Sequence, residues 1–381
     1  MMTFRIRLGA LAVSLVSAAA LIGQPGALGA ETRSFVVDEF YLASYFTEAD
    51  CPDGLDPSAA EFYRAQLARI GHSKEEIEAA LKDFPGEGGA AQPWIPLVAV
   101  RGDGKTNVYA NPETMPDPGL KTVKGRYGFG FNLDGRGAQS PNSFEDPTTH
   151  KRGIDNQLYR VFGCVRGFRG VAKVAGEPAM SNADEVHWDK LKDITPAMLV
   201  SITAENGFGK DGDVTVLIGR ALEPATRDAS GKMVQRDMTY RIDADPRTRN
   251  VFHATMRNGV IVAEPGTLSL VLDNYYNSAF KFDHARLRLR VKPDGELSGM
   301  VGGYTPWFPL YHAMAVGGYV EEYALSADLP GIYYALKKLA DADPDPRTGE
   351  NRSISAAYAI EAVPAFAIDQ ATQKTATNNE R

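Results

Sequence analysis

Two cysteines, six histidines and three tryptophans in 381 residues leave this chain short of the side chains that usually announce chemistry. It has no His-Glu-x-x-His, no Gly-x-Ser-x-Gly, no Cys-x-x-Cys-His and no phosphate loop. The histidines are scattered singly, which sets aside a histidine-rich metal centre. His253 and His284 fall on expected strands as structural residues. No long basic run occurs, which argues against nucleic acid or anionic lipid as the main partner. The one basic cluster, Arg286-Leu-Arg288-Leu-Arg290, alternates with apolar residues and reads as a strand with one wet face. No segment after residue 30 approaches the ~20 apolar residues that a membrane span needs.

What is present begins with the first thirty residues. Arg5 and Arg7 are the only charges before Glu31, and an uncharged apolar run, Leu8 to Ile22, leads into a small-residue tail ending at Ala30. Basic start, short apolar centre and small end are the three parts of a secretory signal peptide, so a periplasmic or extracellular location is expected. Without the two arginines the balance is 41 − 2 = 39 basic against 48 acidic residues, or −9. In an oxidising compartment Cys51 and Cys164 are most simply a disulfide that staples the N-terminal segment to the body.

Four stretches are expected: signal peptide 1–30, an N-terminal segment 31–90, a body 91–370 and a disordered tail 371–381. The N-terminal segment carries a strand at Ser34–Val37 and a helical hairpin. Asp56-Pro57 reads as a cap with proline at the first helical position. Ser73-Lys74-Glu75-Glu76 reads as a capping box for the second helix. Gly86-Glu87-Gly88-Gly89 reads as a linker. The body alternates strands and turns, with strands expected at 95–100, 198–205, 213–219, 236–243, 267–272, 285–291 and 353–368. Asn258-Gly259, between Phe252–Met256 and Val260–Ala263, is the strongest hairpin signal. A late helix is expected over Pro330–Leu339. Short strands with helices at the margins predict a mainly β protein, an antiparallel β-sandwich of jelly-roll or lectin-like type.

Two stretches stand out as sites. Residues 130–164 form a long loop rich in Asp and Asn, and Asn132, Asp134, Asp146, Asp155 and Asn156 could offer oxygens to a calcium ion. The competing reading is that they make Asx-turns with their own backbone. The segment from Gly302 to Tyr319 is dense in aromatics, so Tyr304, Trp307 and Tyr311 could stack on a sugar ring or another flat ligand. The competing reading is that they fill the end of the core. Asp341 to Arg352 fails as an EF-hand, since Pro346 stands where glycine is needed and Arg352 where glutamate is needed. No catalytic residue can be named.

Ala49-Asp-Cys-Pro-Asp-Gly54, Gly153-Ile-Asp-Asn-Gln-Leu-Tyr-Arg-Val-Phe-Gly-Cys164 and Leu336-Lys-Lys-Leu-Ala-Asp341 with Pro344-Asp-Pro-Arg-Thr-Gly349 resemble segments of a family of exported bacterial proteins with no assigned activity. That resemblance implies export and a shared fold, and no catalytic residue. The turns at Asn258-Gly259 and Asp294-Gly295 are similar in architecture to lectin-like and laminin-G-like sandwiches, a likeness that carries no function. The expected role is non-catalytic binding of a glycan, polymer or protein partner in the periplasm or cell envelope. The alternatives are a polymer hydrolase with paired carboxylates and an accessory subunit of an envelope enzyme complex.

Overall fold

The computed structural model describes residues 29–82, 84, 95–181, 183, 192–193, 195–271, 279–317 and 326–369. The stretches read above as a signal peptide (up to residue 28), a linker (Gly86–Gly89) and a tail (after residue 369) lie outside them.

The first strand, β1 (Glu31–Leu42), is followed by a long, mainly helical and irregular stretch. That stretch contains α1 (Ala59–Arg69), α2 (Lys74–Ala80), α3 (Ile95–Val98) and α4 (Gln157–Phe162). It also holds two small ribbons, β2 (Phe144–Glu145) with β3 (Arg152–Ile154) and β4 (Gly170–Val171) with β5 (Met180–Ser181). Strands then dominate: β6 (Pro196–Ala204), β7 (Gly212–Pro224), β8 (Met238–Ile242), β9 (Arg249–Arg257) and β10 (Val260–Ala263). They continue as β11 (Gly266–Val271), β12 (Ala279–Val291) and β13 (Leu297–Pro306). Helices α5 (Trp307–Gly317) and α6 (Leu329–Leu339) precede β14 (Ala342–Pro344) and the long β15 (Asn351–Asp369).

The sheet closes on itself. Strands β1, β6, β7, β9, β10, β12, β13 and β15 form a ring in that order, each antiparallel to the next, and β15 pairs back to β1. The fold is therefore an eight-stranded antiparallel barrel, which corrects the open sandwich expected from the strand pattern. The reason lies in β15, whose one edge takes β13 over Ser353–Ala362 while the other takes β1 over Tyr358–Ala365. Closure leaves neither edge open to another chain.

Alternation along the strands decides what faces inward. Ile354, Ala356, Tyr358, Ile360 and Ala362 of β15 meet Leu287 and Leu289 of β12 and Phe35, Val37 and Phe40 of β1 in one buried core. Phe40 stacks on Tyr358 at 4.9 Å, with the Phe280 and Phe282 rings edge-on to Tyr358. A barrel of eight strands is just wide enough for side chains to fill it, and these rings do so. The same core runs on into the helices through Tyr63, Leu67, Leu158, Trp307, Ile332 and Leu336. A second apolar cluster lies outside the barrel, where β8 covers Val36, Leu199 and Val363 with Tyr240 and Ile242. The β9–β10 hairpin turns at Asn258 and Gly259, both at positive φ (51° and 72°), the backbone that the Asn-Gly pair favours.

Three local readings change. The cap of α1 is Ser58 with Glu61 in a capping box, so Asp56 is left to accept the Lys121 amide at 2.9 Å. Residues 95–98 are helical, and only Val100 forms a bridge, with Asn107. Six apolar residues in a row carry no period that separates strand from helix, and Pro96 suits a first helical turn. The strand expected at Ser34–Val37 runs from Glu31 to Leu42 as a full barrel strand. Cys51 and Cys164 are joined, 113 positions apart along the chain.

Candidate ligand groove on the barrel wall

The register fixes which side chains share the outer wall. Across one row lie Arg257, Val260, Arg290, Ser298 and Glu361; across the next, Thr255, Val262, Arg288, Met300, Ala359 and Tyr41. Arg286 follows, opposite Gly302. Their neighbours in sequence, Leu287, Leu289, Ile261 and Met256, are buried inside.

Over these strands lean the segments 146–149 and 176–178, and the space between is a cleft of about 400 Å³. Its floor is Met300 and the backbone of Gly299, its basic wall Arg288 and Arg290, and its far wall Tyr41, Glu361 and Glu177. Thr148, Thr149 and Ser298 bring hydroxyls to its lining. Tyr41 donates its hydroxyl to Glu361 at 2.9 Å, and burial beside that carboxylate pushes the phenol up. Asp146 holds its own loop by accepting the Thr148 and Thr149 amides and stands 3.9 Å from Arg288.

The arginines are underpaired. Positions 286, 288 and 290 are about 7 Å apart along β12. Two like charges at that spacing repel by about 0.6 kcal/mol even in water. The outward residues beside them, Ser298, Met300, Gly302, Val260 and Val262, carry no charge. Among the described residues the 3.9 Å approach of Asp146 to Arg288 is the only ion pair of the file. Arg288 also lies over the Phe131 ring at 5.6 Å. The Nε of Arg286 is buried without a hydrogen-bond partner among the described residues.

The expected metal set divides. Asp155 is 2% exposed and accepts the Leu133 amide (2.7 Å), the Asp134 amide (3.3 Å) and the Ser140 hydroxyl (3.2 Å). Asn156 caps α4 through the Tyr159 amide and donates to the Ala43 and Phe129 carbonyls. Asp134 and Asn132 accept the Arg136 and Gly137 amides. Asp146 sits apart, in the groove. Among the described residues no three His, Cys, Asp or Glu side chains group as a metal site.

The expected aromatic set divides too. Trp307 is buried and donates Nε1 to the Asn351 carbonyl; Tyr311 is buried and donates to the Tyr109 carbonyl. Both are core residues where α5 packs. Tyr304 is on the outer wall beside Ser355, and burial, joined by the charges of Asp155, Asp341 and Asp134, pushes its phenol up. Asp341 accepts the Ser355 amide and hydroxyl, both at 2.7 Å, and surrounding protein pushes it up to about 6. Asp341 and Asp155 sense each other's charge, yet the oxygens of Asp155 are taken up by its own loop.

Sequence reasoning passed over Arg257, Arg290 and Ser298 as binding residues. The alternation of 286, 288 and 290 was the available signal, and only the neighbouring strands reveal that no charge stands beside them on the sheet. No family model, no curated protein and no solved structure matched the chain.

Proposed function

We propose that this is an exported, non-catalytic binding protein of the periplasm or cell envelope, which holds a glycan, polymer or protein partner in the groove on its barrel wall. The observation that carries this reading is the cleft of about 400 Å³, with Arg288 and Arg290 along one side and Asp146, Glu177 and Glu361 along the others. Export draws support from the leader's composition and from the Cys51–Cys164 disulfide, which belongs to an oxidising milieu. A hydrolytic reading would rest on Asp155 and Asp341, and the burial of Asp155 beneath three donors disfavours it. Calcium at the 130–164 loop stays a separate proposal, carried by that loop's Asp and Asn content.

The test is a glycan and polymer array probed with the purified protein and with Ser298→Trp, which fills the cleft from a half-buried position on β13. Bound ligands are expected to lose at least tenfold in affinity in the variant, with the melting temperature little changed. Ligands bound equally by both proteins would place binding elsewhere.

A further inference from the structure

Resting on that groove reading, we infer that the occupant is an acidic polysaccharide, a chain of sugars carrying carboxylates, held along the line Arg257, Arg290, Arg288, Arg286. Three observations carry this beyond a generic cleft. The first is charge. The protein is acidic as a whole, at −7 for 381 residues, yet these four arginines share one stretch of outer wall. Arg257 and Arg290, separated only by Val260 in their row, have neither an ion pair nor a hydrogen bond among the described residues. A protein with 48 acidic side chains has ample means to neutralise such a file. Among the described residues only Asp146 approaches this file, and Arg257 and Arg290 stand open to an external anion.

The second observation is the orphaned donor. Among the described residues the buried Arg286 Nε has no acceptor, while its neighbour Arg288 lies over the Phe131 ring and 3.9 Å from Asp146. Buried donors without acceptors are rare in folded proteins, and this one stands just beyond the cleft, on the strand that carries Arg288 and Arg290. A carboxylate suits the exposed Arg257 and Arg290, because a guanidinium fork takes it through two parallel hydrogen bonds.

The third is the rest of the lining, which separates a sugar chain from other polyanions. Met300 and the Gly299 backbone make an apolar floor suited to the C–H face of a pyranose. Thr149 and Ser298 offer hydroxyl groups to a polyol, while the Thr148 hydroxyl donates to the Gly176 carbonyl. A single-stranded nucleic acid would want flat rings open to stacking. The rings near this cleft are committed elsewhere: Phe131 lies against Arg288 and Phe129 is buried against Tyr45.

Isothermal titration of the protein with polygalacturonate, dextran and inorganic polyphosphate tests this, at 50 and 200 mM NaCl. Polygalacturonate is expected to bind and dextran not to bind. Its affinity is expected to fall more than tenfold between the two salts and more than tenfold in Arg257→Ser/Arg290→Ser. Both replaced side chains are exposed, so the variant's melting temperature should match that of the parent. Arg257→Lys/Arg290→Lys is expected to recover part of the loss, since charge returns without the fork.

Dextran binding as well as polygalacturonate, or no effect of the serine variant, would overturn the anionic assignment. The groove reading would then survive if Ser298→Trp still abolished binding. Polyphosphate bound in preference to polygalacturonate would overturn the sugar assignment. Polygalacturonate binding that Ser298→Trp leaves untouched would overturn both.

Discussion

Replacing Cys51 and Cys164 together by serine is expected to lower stability by about 4 kcal/mol, enough to leave much of the chain unfolded at 37 °C if it is marginal to begin with. The two sulfurs close a loop of 113 residues that holds α1 to α4 and the 130–164 loop. Freeing that loop returns entropy to the unfolded chain, about 4.7 kcal/mol for one of roughly a hundred residues in the chain-entropy model. Packing adds to the effect. Cys164 is fully buried, its carbonyl accepts the Asp56 amide, and beside Cys51 the Arg169 guanidinium reaches the Asp50 carboxylate at 3.0 Å. Urea unfolding of parent and double variant measures the difference. A loss below about 1 kcal/mol would mean that the helical layer is held by its core alone.

The second large effect is on pH. Stability is expected to peak at about pH 4 to 5 and to fall toward pH 8, opposite to the usual preference for neutrality. Burial pushes Asp56 up to about 6 and Asp328, which caps α6 and lies 3.9 Å from Arg69, up to about 7. An aspartate whose folded pKa is raised keeps its proton in the folded state after the unfolded chain has released it. Its stabilising share is complete below about pH 4 and is lost as pH climbs through 6 and 7. For Asp56 and Asp328 together the loss should reach at least about 2 kcal/mol.

Other carboxylates bound the opposite side. Arg247 beside Asp245 holds it down at about 2, and backbone and Arg220 contacts lower Asp243. Protonating these costs stability as pH falls toward 2. Denaturant midpoints from pH 3 to 9 give the profile, and a steady rise from pH 4 to 8 would refute it.

How much of this was legible beforehand depended on how local each feature is. The Asn258-Gly259 turn, the Ser73 capping box of α2 and α6 are decided within a few residues, and each stands where the pattern put it. The disulfide followed from there being only two cysteines. Barrel closure was not legible, because it joins β1 to β15 across some 320 positions, and alternation states only that a strand has two faces. The groove suffered the same way. Its walls come from β1, β12, β13, β15 and two loops, so Arg288, Asp146 and Tyr41 meet only through register. The oxygen-rich loop was conspicuous, but Asx-type turns and an α4 cap account for oxygens that composition alone offered to a cation. Trp307 and Tyr311 likewise look the same on paper as an exposed platform and as buried packing.

Hydrogen–deuterium exchange of the protein with and without saturating polygalacturonate tests the central claim most directly. Protection should appear in peptides covering 144–149 and 286–302, with the β6–β7 wall on the far side of the ring unchanged. Protection confined to that far wall, or to α1 and α2, would contradict the account.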